Sequence, residues 1–404
     1  MISVSKIAGI VDKPRPNRQF PPSNFAPRNR PRVFLFYSTS MPPLRLKNRF
    51  PAVARPFLAF LAGLWLSALP AAAGDAYKWT VQYLVDNSRT VFGHPQKISP
   101  RHNRGLAISP DGKYLYAGYH HSFDNAGEVR RIQIDVADFE RATVALLPGV
   151  LAKGIATDDK GRVYICDSSA ILVYDAALET RLLRIPAGTV DSVATAREGG
   201  ELVVYGSDRD DGTLSRWVLK ENGEGLSAAT LAGFGGTGVF KVPGAVDLRG
   251  VKVDAKGNIW LVDLKGSKVF KMKPDGSDLK SVEVAGPMDV AIDGTRVLVT
   301  RWKDRAITVL DDELNVLGSL SVPWEELELS LYGNNREGRL SGIVVVPGKG
   351  FFVSNEAGQT ANQKSTYGRI DNHSDLIDGK LYRDVFMDDN EPILRATEVT
   401  TAPQ

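Results

Sequence analysis

The chain has 404 residues, 43% hydrophobic and 24% charged, a globular composition that excludes the disordered and collagen-like classes. Its net charge of +3 is the sum of unlike parts: residues 1–73 carry eleven Lys/Arg against the single acidic Asp12, leaving 39 basic groups against 46 acidic ones, about −7, in the rest. An acidic body lacks the basic footprint that a phosphate backbone requires, so nucleic acid is not an expected partner.

Residues 1–40 are rich in Pro, Arg and Asn and show no apolar periodicity, so they read as a disordered leader or as an upstream stretch ahead of a true start at Met41. Residues 41–73 have a basic start (Arg45, Lys47, Arg49, Arg55), an apolar run over 57–69 and then Ala71-Ala72-Ala73, the layout of a secretory signal peptide. The apolar run is shorter than the ~20 residues of a membrane span, so the expectation is a secreted or periplasmic protein, cleaved near Ala73, with no membrane span in its mature form. The lone Cys166 sits in the strand-like run VYIC and reads as a buried core residue, leaving packing to supply stability in an oxidising compartment.

From Gly105 a pattern recurs: a small residue, an apolar alternating run, a turn with Asp-Gly or Lys-Gly, and a second apolar run. It reads GLAISPDGKYLYAG from Gly105, GIATDDKGRVYICD from Gly154, SVATAREGGELVVYG from Ser192, GVKVDAKGNIWLVD from Gly250, DVAIDGTRVLVT from Asp289 and GIVVVPGKGFFVS from Gly342. Each copy predicts two β-strands joined by a turn, and runs such as KVFKMKPDG and AITVLDDEL predict third and fourth strands. Four short strands per ~40–55 residues is the period of a propeller blade, so an all-β, six-bladed β-propeller over 75–395 is predicted, with seven blades as the alternative and 396–404 as a disordered tail. The run WTVQYLVD (79–86) is expected to complete the last blade and so close the ring, with KLYRDVFM (380–387) as the run after the last copy. Residues 324–331 read as a short loop helix, and the chain is expected to be a monomer.

The segment GVKVDAKGNIWLVDLKGSKVFKMKPDG from Gly250 resembles the repeat of the NHL propellers, and the Gly105 copy is similar to blades of bacterial surface propellers and of the SMP-30/gluconolactonase group. The resemblance covers most of the mature chain at the level of fold and implies blades that serve enzymes, lyases and binding modules alike. For the SMP-30 group it further implies a divalent metal, Ca²⁺ or Mg²⁺, at the top of the tunnel, held by an early Glu and by Asn or Asp just before the Gly that opens several repeats. Here those positions are Arg104, Lys153, Asp191, Arg249, Met288 and Ser341, and no Glu occurs between Gly74 and Asp111, so the set a hard cation requires is missing.

Residues at the starts of innermost strands converge on one mouth of the tunnel, so Arg104, Lys153 and Arg249 are expected to share a space with Asp191. Forked guanidinium donors there suit the carboxylate or phosphate of a small anionic ligand or an acidic glycan. Each cation could equally pair with a neighbouring blade's Asp, Asp191 or Asp247 for example, and seal the tunnel. A second hypothesis is a hydrolase of lactone or ester type, or a lyase, with His102 as general base near Arg104, or a metal held by His120, His121, Asn355 and Glu356. A third is an interaction scaffold for another exported protein. Asp167, Asp208 and Asp263 end second strands, and the resemblance to NHL blades implies that they bond backbone amides of the following turn. Arg301 and Trp302 replace that Asp in the fifth copy, and Asn355-Glu356 begin a loop that leaves the repeat, which adds Arg301, Asn355 and Glu356 to the candidates. No phosphate-binding Gly-rich loop, GxSxG elbow or CxxC pair is present.

Overall fold

Side chains of the repeat close its own first turns. Asp254 Oδ1 accepts the backbone N–H groups of Lys256 and Asn258 at 2.9 Å each, and its Oδ2 accepts Asn258 Nδ2 at 2.9 Å and Trp260 Nε1 at 3.0 Å. Gly257 supplies the positive φ, +81°, that the turn needs. Asp158 serves Lys160, Arg162 and the Tyr164 hydroxyl in the same way, and Ser109 Oγ accepts the N–H groups of Lys113 and Tyr114 in the first copy.

Asp254→Ala is expected to cost about 1–3 kcal/mol at neutral pH, because it strands the indole N–H of Trp260, a residue only 1% exposed. Burial pushes the Asp254 carboxyl up, but the donors Trp260 and Asn258 outweigh it and hold the group below its ordinary value. A depressed folded pKa gives stability that is full above the ordinary carboxylate range and fades as pH falls through it, so the gap between wild type and variant in urea midpoint should shrink below about pH 4. An equal gap at pH 3 and pH 7 would show that the charge does not hold this turn.

The structure is a computed structural model that describes residues 77–82, 86–91, 94–96, 103–120, 127–137, 142–223, 225–323, 339–355 and 393–398. After β1 (Tyr77–Gln82), the short strands β2 (Asp86–Val91) and β3 (His94–Gln96) pair with each other. Blade 1 then holds β4 (Asn103–Ile108), β5 (Tyr114–His120), β6 (Gly127–Gln133) and β7 (Thr143–Pro148). Blade 2 holds β8 (Ile155–Thr157), β9 (Val163–Asp167), β10 (Ala170–Tyr174) and β11 (Arg181–Pro186). Blade 3 holds β12 (Val190–Glu198), β13 (Glu201–Asp208), β14 (Thr213–Asn222) and β15 (Gly225–Leu231), with β16 (Val239–Lys241) also paired to β14. Blade 4 holds β17 (Leu248–Val253), β18 (Ile259–Asp263), β19 (Lys268–Met272) and β20 (Lys280–Glu283). Blade 5 holds β21 (Pro287–Asp293), β22 (Arg296–Arg301), β23 (Ala306–Leu310) and β24 (Val316–Ser321). Blade 6 holds β25 (Leu340–Val346), β26 (Gly350–Asn355) and β27 (Ile393–Glu398), and β1 is its outermost strand.

These six antiparallel sheets form a six-bladed β-propeller. Its core is divided into six clusters, each lying between two adjacent blades. One joins blades 1 and 2 through Tyr116, Ile155 and Leu172, and the set runs on round to Phe352 of blade 6 packed with Leu106 and Leu115 of blade 1. Hydroxyls on second strands lock the register between blades by donating to a carbonyl of the next innermost strand: Ser207 to Arg249 at 2.6 Å, Thr300 to Ser341 at 2.7 Å and Ser354 to Arg104 at 3.2 Å. Cys166, fully buried, occupies the equivalent place in blade 2. The glycine that opens a repeat is there for close approach: a Cβ on Gly342 would stand 2.0 Å from the Arg104 carbonyl oxygen.

The closing strand lies at Tyr77–Gln82, two residues ahead of the expected 79–86, and pairs residue for residue with β27 from Tyr77↔Glu398 to Gln82↔Ile393. The third strand of blade 6 is therefore Ile393–Glu398, which runs past the expected end of the domain at 395 into the segment read as a tail. The run 380–387, the expected helix at 324–331, the leader 1–40 and the signal segment 41–73 lie outside the described residues. No helix among the described residues is long and apolar enough to cross a membrane.

Candidate functional site

The residue immediately before each repeat sits at the start of an innermost strand, and all six of them, Arg104, Lys153, Asp191, Arg249, Met288 and Ser341, line one cavity at the axis of the ring. Asp191 is its centre of charge. Arg104 Nη2 donates to Asp191 Oδ2 at 3.5 Å, Arg249 Nη1 donates to the same oxygen at 3.3 Å, and Arg209 Nη1 stands 3.8 Å from Oδ1. That Oδ1 receives no hydrogen bond among the described residues, although the side chain is only 5% exposed. Burial pushes the Asp191 carboxyl up, but Arg104, Arg249, Lys153 and Arg209 together outweigh it and hold the group below its ordinary value. Arg249 is anchored from behind by Asp247, its Nη2 donating to Oδ2 at 3.2 Å, and Lys265 Nζ lies 3.3 Å from that same oxygen.

Two lining residues depart from the repeat. Lys252 stands where the other blades place Ala107, Ala156, Ala194, Ala291 and Val344, and Asp289 stands where they place Gly or Ser. Asp289 keeps some surface open to the tunnel while protein surrounds it, and its oxygens accept the N–H groups of Val290 at 2.9 Å and Ile343 at 3.1 Å. Burial pushes its carboxyl above the ordinary value, against the pull of Lys252. Lys252, Arg209 and Asp289 were absent from the sequence candidates. The signal for Lys252 and Asp289 lay in the aligned columns of the repeat, whereas nothing in the loop after β13 singled out Arg209.

The ion pairs of Arg104 and Arg249 are those that would seal the tunnel, yet they leave charge over. Four lining cations, Arg104, Lys153, Arg249 and Lys252, face two lining carboxylates, Asp191 and Asp289, while Arg209, which also pairs with Asp210 at 3.3 Å, and the Asp247–Lys265 pair stand behind them. Neither Lys153 nor Lys252 has an ion-pair partner among the described residues. The cavity is about 20 Å³, room for roughly one water-sized group. This donor set does not fit a hard divalent cation, because three cations stand among the six ring positions that would have to supply oxygen ligands. No cluster of three His, Cys, Asp or Glu side chains able to hold a metal occurs among the described residues.

Arg301 does not line this cavity and pairs with Asp304 at 2.9 Å. His102, His121 and Glu356 lie outside the described residues, and His120 and Asn355 are described only as the ends of β5 and β26. Asp263 accepts the N–H groups of Val246, Asp247 and Gly266, while Asp167 accepts that of Leu151 and Asp208 the N–H of Asp210 and the Thr189 hydroxyl. Burial pushes the Cys166 thiol up, despite Lys153 and Lys252 nearby, which makes it a poor nucleophile.

No family model matches the chain, and no curated protein matches it. Among solved structures it is similar to a Bacteroides thetaiotaomicron protein of unknown function, at 14% identity over 80% of this chain and 76% of that one, with a TM-score of 0.50. It is also similar to a chain of a nidogen/laminin complex, at 15% identity over 67% and 98%, with a TM-score of 0.45. Virginiamycin B lyase from Staphylococcus aureus is 11% identical over 80% of this chain and all of that one, with a TM-score of 0.43. At these identities the likeness is one of fold, and a function has to be argued from the cavity itself.

Proposed function

We propose that the protein is an exported binding propeller whose tunnel mouth takes the carboxylate or phosphate of a small anionic molecule or acidic glycan. The observation that carries this reading is the excess of positive charge at the axis, with Lys153 and Lys252 facing the cavity and lacking ion-pair partners. A lysine displaced from bulk water onto a tunnel wall is stabilised by an incoming anion, and the five lining or flanking cations beside Lys265 supply donors from blades 1 to 4. Export belongs to the same proposal, and its check is the mature N-terminus of secreted protein, expected just after Ala73.

The test is calorimetric titration of residues 75–404 with glucuronate, succinate and inorganic phosphate, at low and high salt. Binding is expected to weaken as salt rises, and Lys153→Met and Lys252→Met are each expected to reduce affinity about tenfold while the thermal midpoint stays within a few degrees. Both lysine variants binding every anion as tightly as wild type would sink the reading.

A further inference from the structure

Blades 2, 3 and 4 end their second strand in an Asp, Asp167, Asp208 and Asp263, that bonds a neighbouring loop, whereas the register places Tyr119 there in blade 1, Arg301 in blade 5 and Asn355 in blade 6. In blade 4, Asp263 Oδ2 accepts the Val246 N–H at 2.8 Å and its Oδ1 accepts those of Asp247 and Gly266 at 2.9 Å each, binding the loop that enters the blade to the turn that leaves β18. Blade 5 places Arg301 at that position, a cation that cannot accept a hydrogen bond. Arg301 turns to Asp304, and the entering loop is joined to the end of β22 by the Trp302 N–H donating to the Gly286 carbonyl at 2.8 Å. Beyond the end of β22 a depression of about 430 Å³ opens, lined by Leu264, Ala285, Gly286, Trp302, Lys303 and Asp304. Its size is that of a small-molecule site.

The depression and the tunnel mouth are neighbours. Gly286 lines the first, and Met288 and Asp289 line the second, so at most about 7 Å of backbone separates the two linings. Leu264 donates its N–H to the carbonyl of Asp247 at 3.0 Å, and the Asp247 carboxylate is the one that holds Arg249 at the axis. Trp302 is partly exposed, with the Arg339 guanidinium 5.4 Å from its ring centroid, and charged Lys303 and Asp304 stand exposed at the rim. An apolar floor beside an indole, edged by polar groups, suits a ring with one apolar C–H face and a hydroxylated edge.

We propose that this depression is a sugar-ring subsite in which Trp302 stacks one residue of an acidic oligosaccharide whose neighbouring sugar acid lies over the tunnel mouth with its carboxylate towards the axial cations. The inference rests on the anion reading of that mouth and names its ligand class.

The experiment titrates residues 75–404 with galacturonic acid, trigalacturonic acid, cellotriose and benzoate, following heat and indole fluorescence. The acidic trimer is expected to bind about fivefold to tenfold tighter than the monomer. Trp302→Ala should abolish that advantage with the monomer's affinity unchanged, and Trp302→Phe should keep part of it while losing the fluorescence response. A trimer advantage that survives Trp302→Ala overturns the subsite and leaves the tunnel reading standing. Cellotriose binding as tightly as the acidic trimer overturns the coupling to the tunnel, and benzoate matching the trimer overturns the sugar class. Lys153→Met that spares galacturonic acid while Trp302→Ala still weakens the trimer removes the tunnel reading and keeps the ring site.

Discussion

Asp191→Ala should lower unfolding free energy by about 3–5 kcal/mol in dilute chloride and regain part of that loss when the buffer anion is phosphate. Asp191 is the buried counter-charge to Arg104 and Arg249, with Arg209 and Lys153 also attracted to it. Removing one member of a buried ion-pair set leaves the other charges uncompensated in a place water reaches poorly, which costs more than the pairs themselves contribute. An anion that enters the vacated space binds the folded state alone and restores stability in proportion to RT ln(1 + [L]/Kd). Phosphate also stabilises folded proteins in general, so the informative quantity is the extra gain of Asp191→Ala over wild type and over Asp254→Ala in the same series of denaturant melts. No extra gain would mean that the axial cations are solvated well enough to need no counter-ion, and the anion reading would lose its physical basis.

The ring of six at the tunnel mouth could be read from the sequence because its logic is one of position: whatever precedes the opening small residue of a blade must stand at the start of an innermost strand. That argument placed Arg104, Lys153, Asp191 and Arg249 together without knowledge of any side chain, and it left open whether the cations bind a ligand or pair with Asp191 and Asp247. Both pairings are present, and what the sequence could not supply was the remainder after pairing, since that depends on reach and angle. Lys252 escaped notice because a strand read singly does not say which of its faces meets the tunnel. Only the comparison with Ala107, Ala156, Ala194, Ala291 and Val344 marks it as foreign to the wall. Arg301 stands out in the sequence as a departure from the repeat, and at the end of its second strand it lies off the axial cavity, where it pairs with Asp304. The place where the chain returns to blade 6 could not be fixed, because the runs at 380–387 and 393–398 have similar apolar alternation and the repeat is silent after Asn355.

A chain that starts at residue 83 in place of 75 should lose cooperative unfolding and aggregate, the largest effect expected of any change considered. Without β1, blade 6 keeps three strands, and β27 presents an unpaired edge over all six residues that β1 now covers. The packing loss is as serious. Tyr77 and Trp79 meet the ring of Phe351 edge-on at centroid distances of 5.1 and 5.6 Å, and they belong to the cluster that joins blades 5 and 6 through Ile307, Leu340 and Leu394. Truncating a buried aromatic such as Tyr77 costs about 3–5 kcal/mol, so losing it with the half-buried Trp79 and the strand's hydrogen bonds removes most or all of the stability of an ordinary domain. In a closed ring the damage does not stay in one blade, because each blade is the packing wall of the next and blade 6 also buries Phe352 against blade 1. A synthetic peptide of residues 75–84 added to the truncated chain should add itself to the edge of β27 and restore a single melting transition. A truncated chain that melts cooperatively within a few degrees of the full one would show that the ring is closed by packing between blades 6 and 1, with the N-terminal strand as an ornament on its rim.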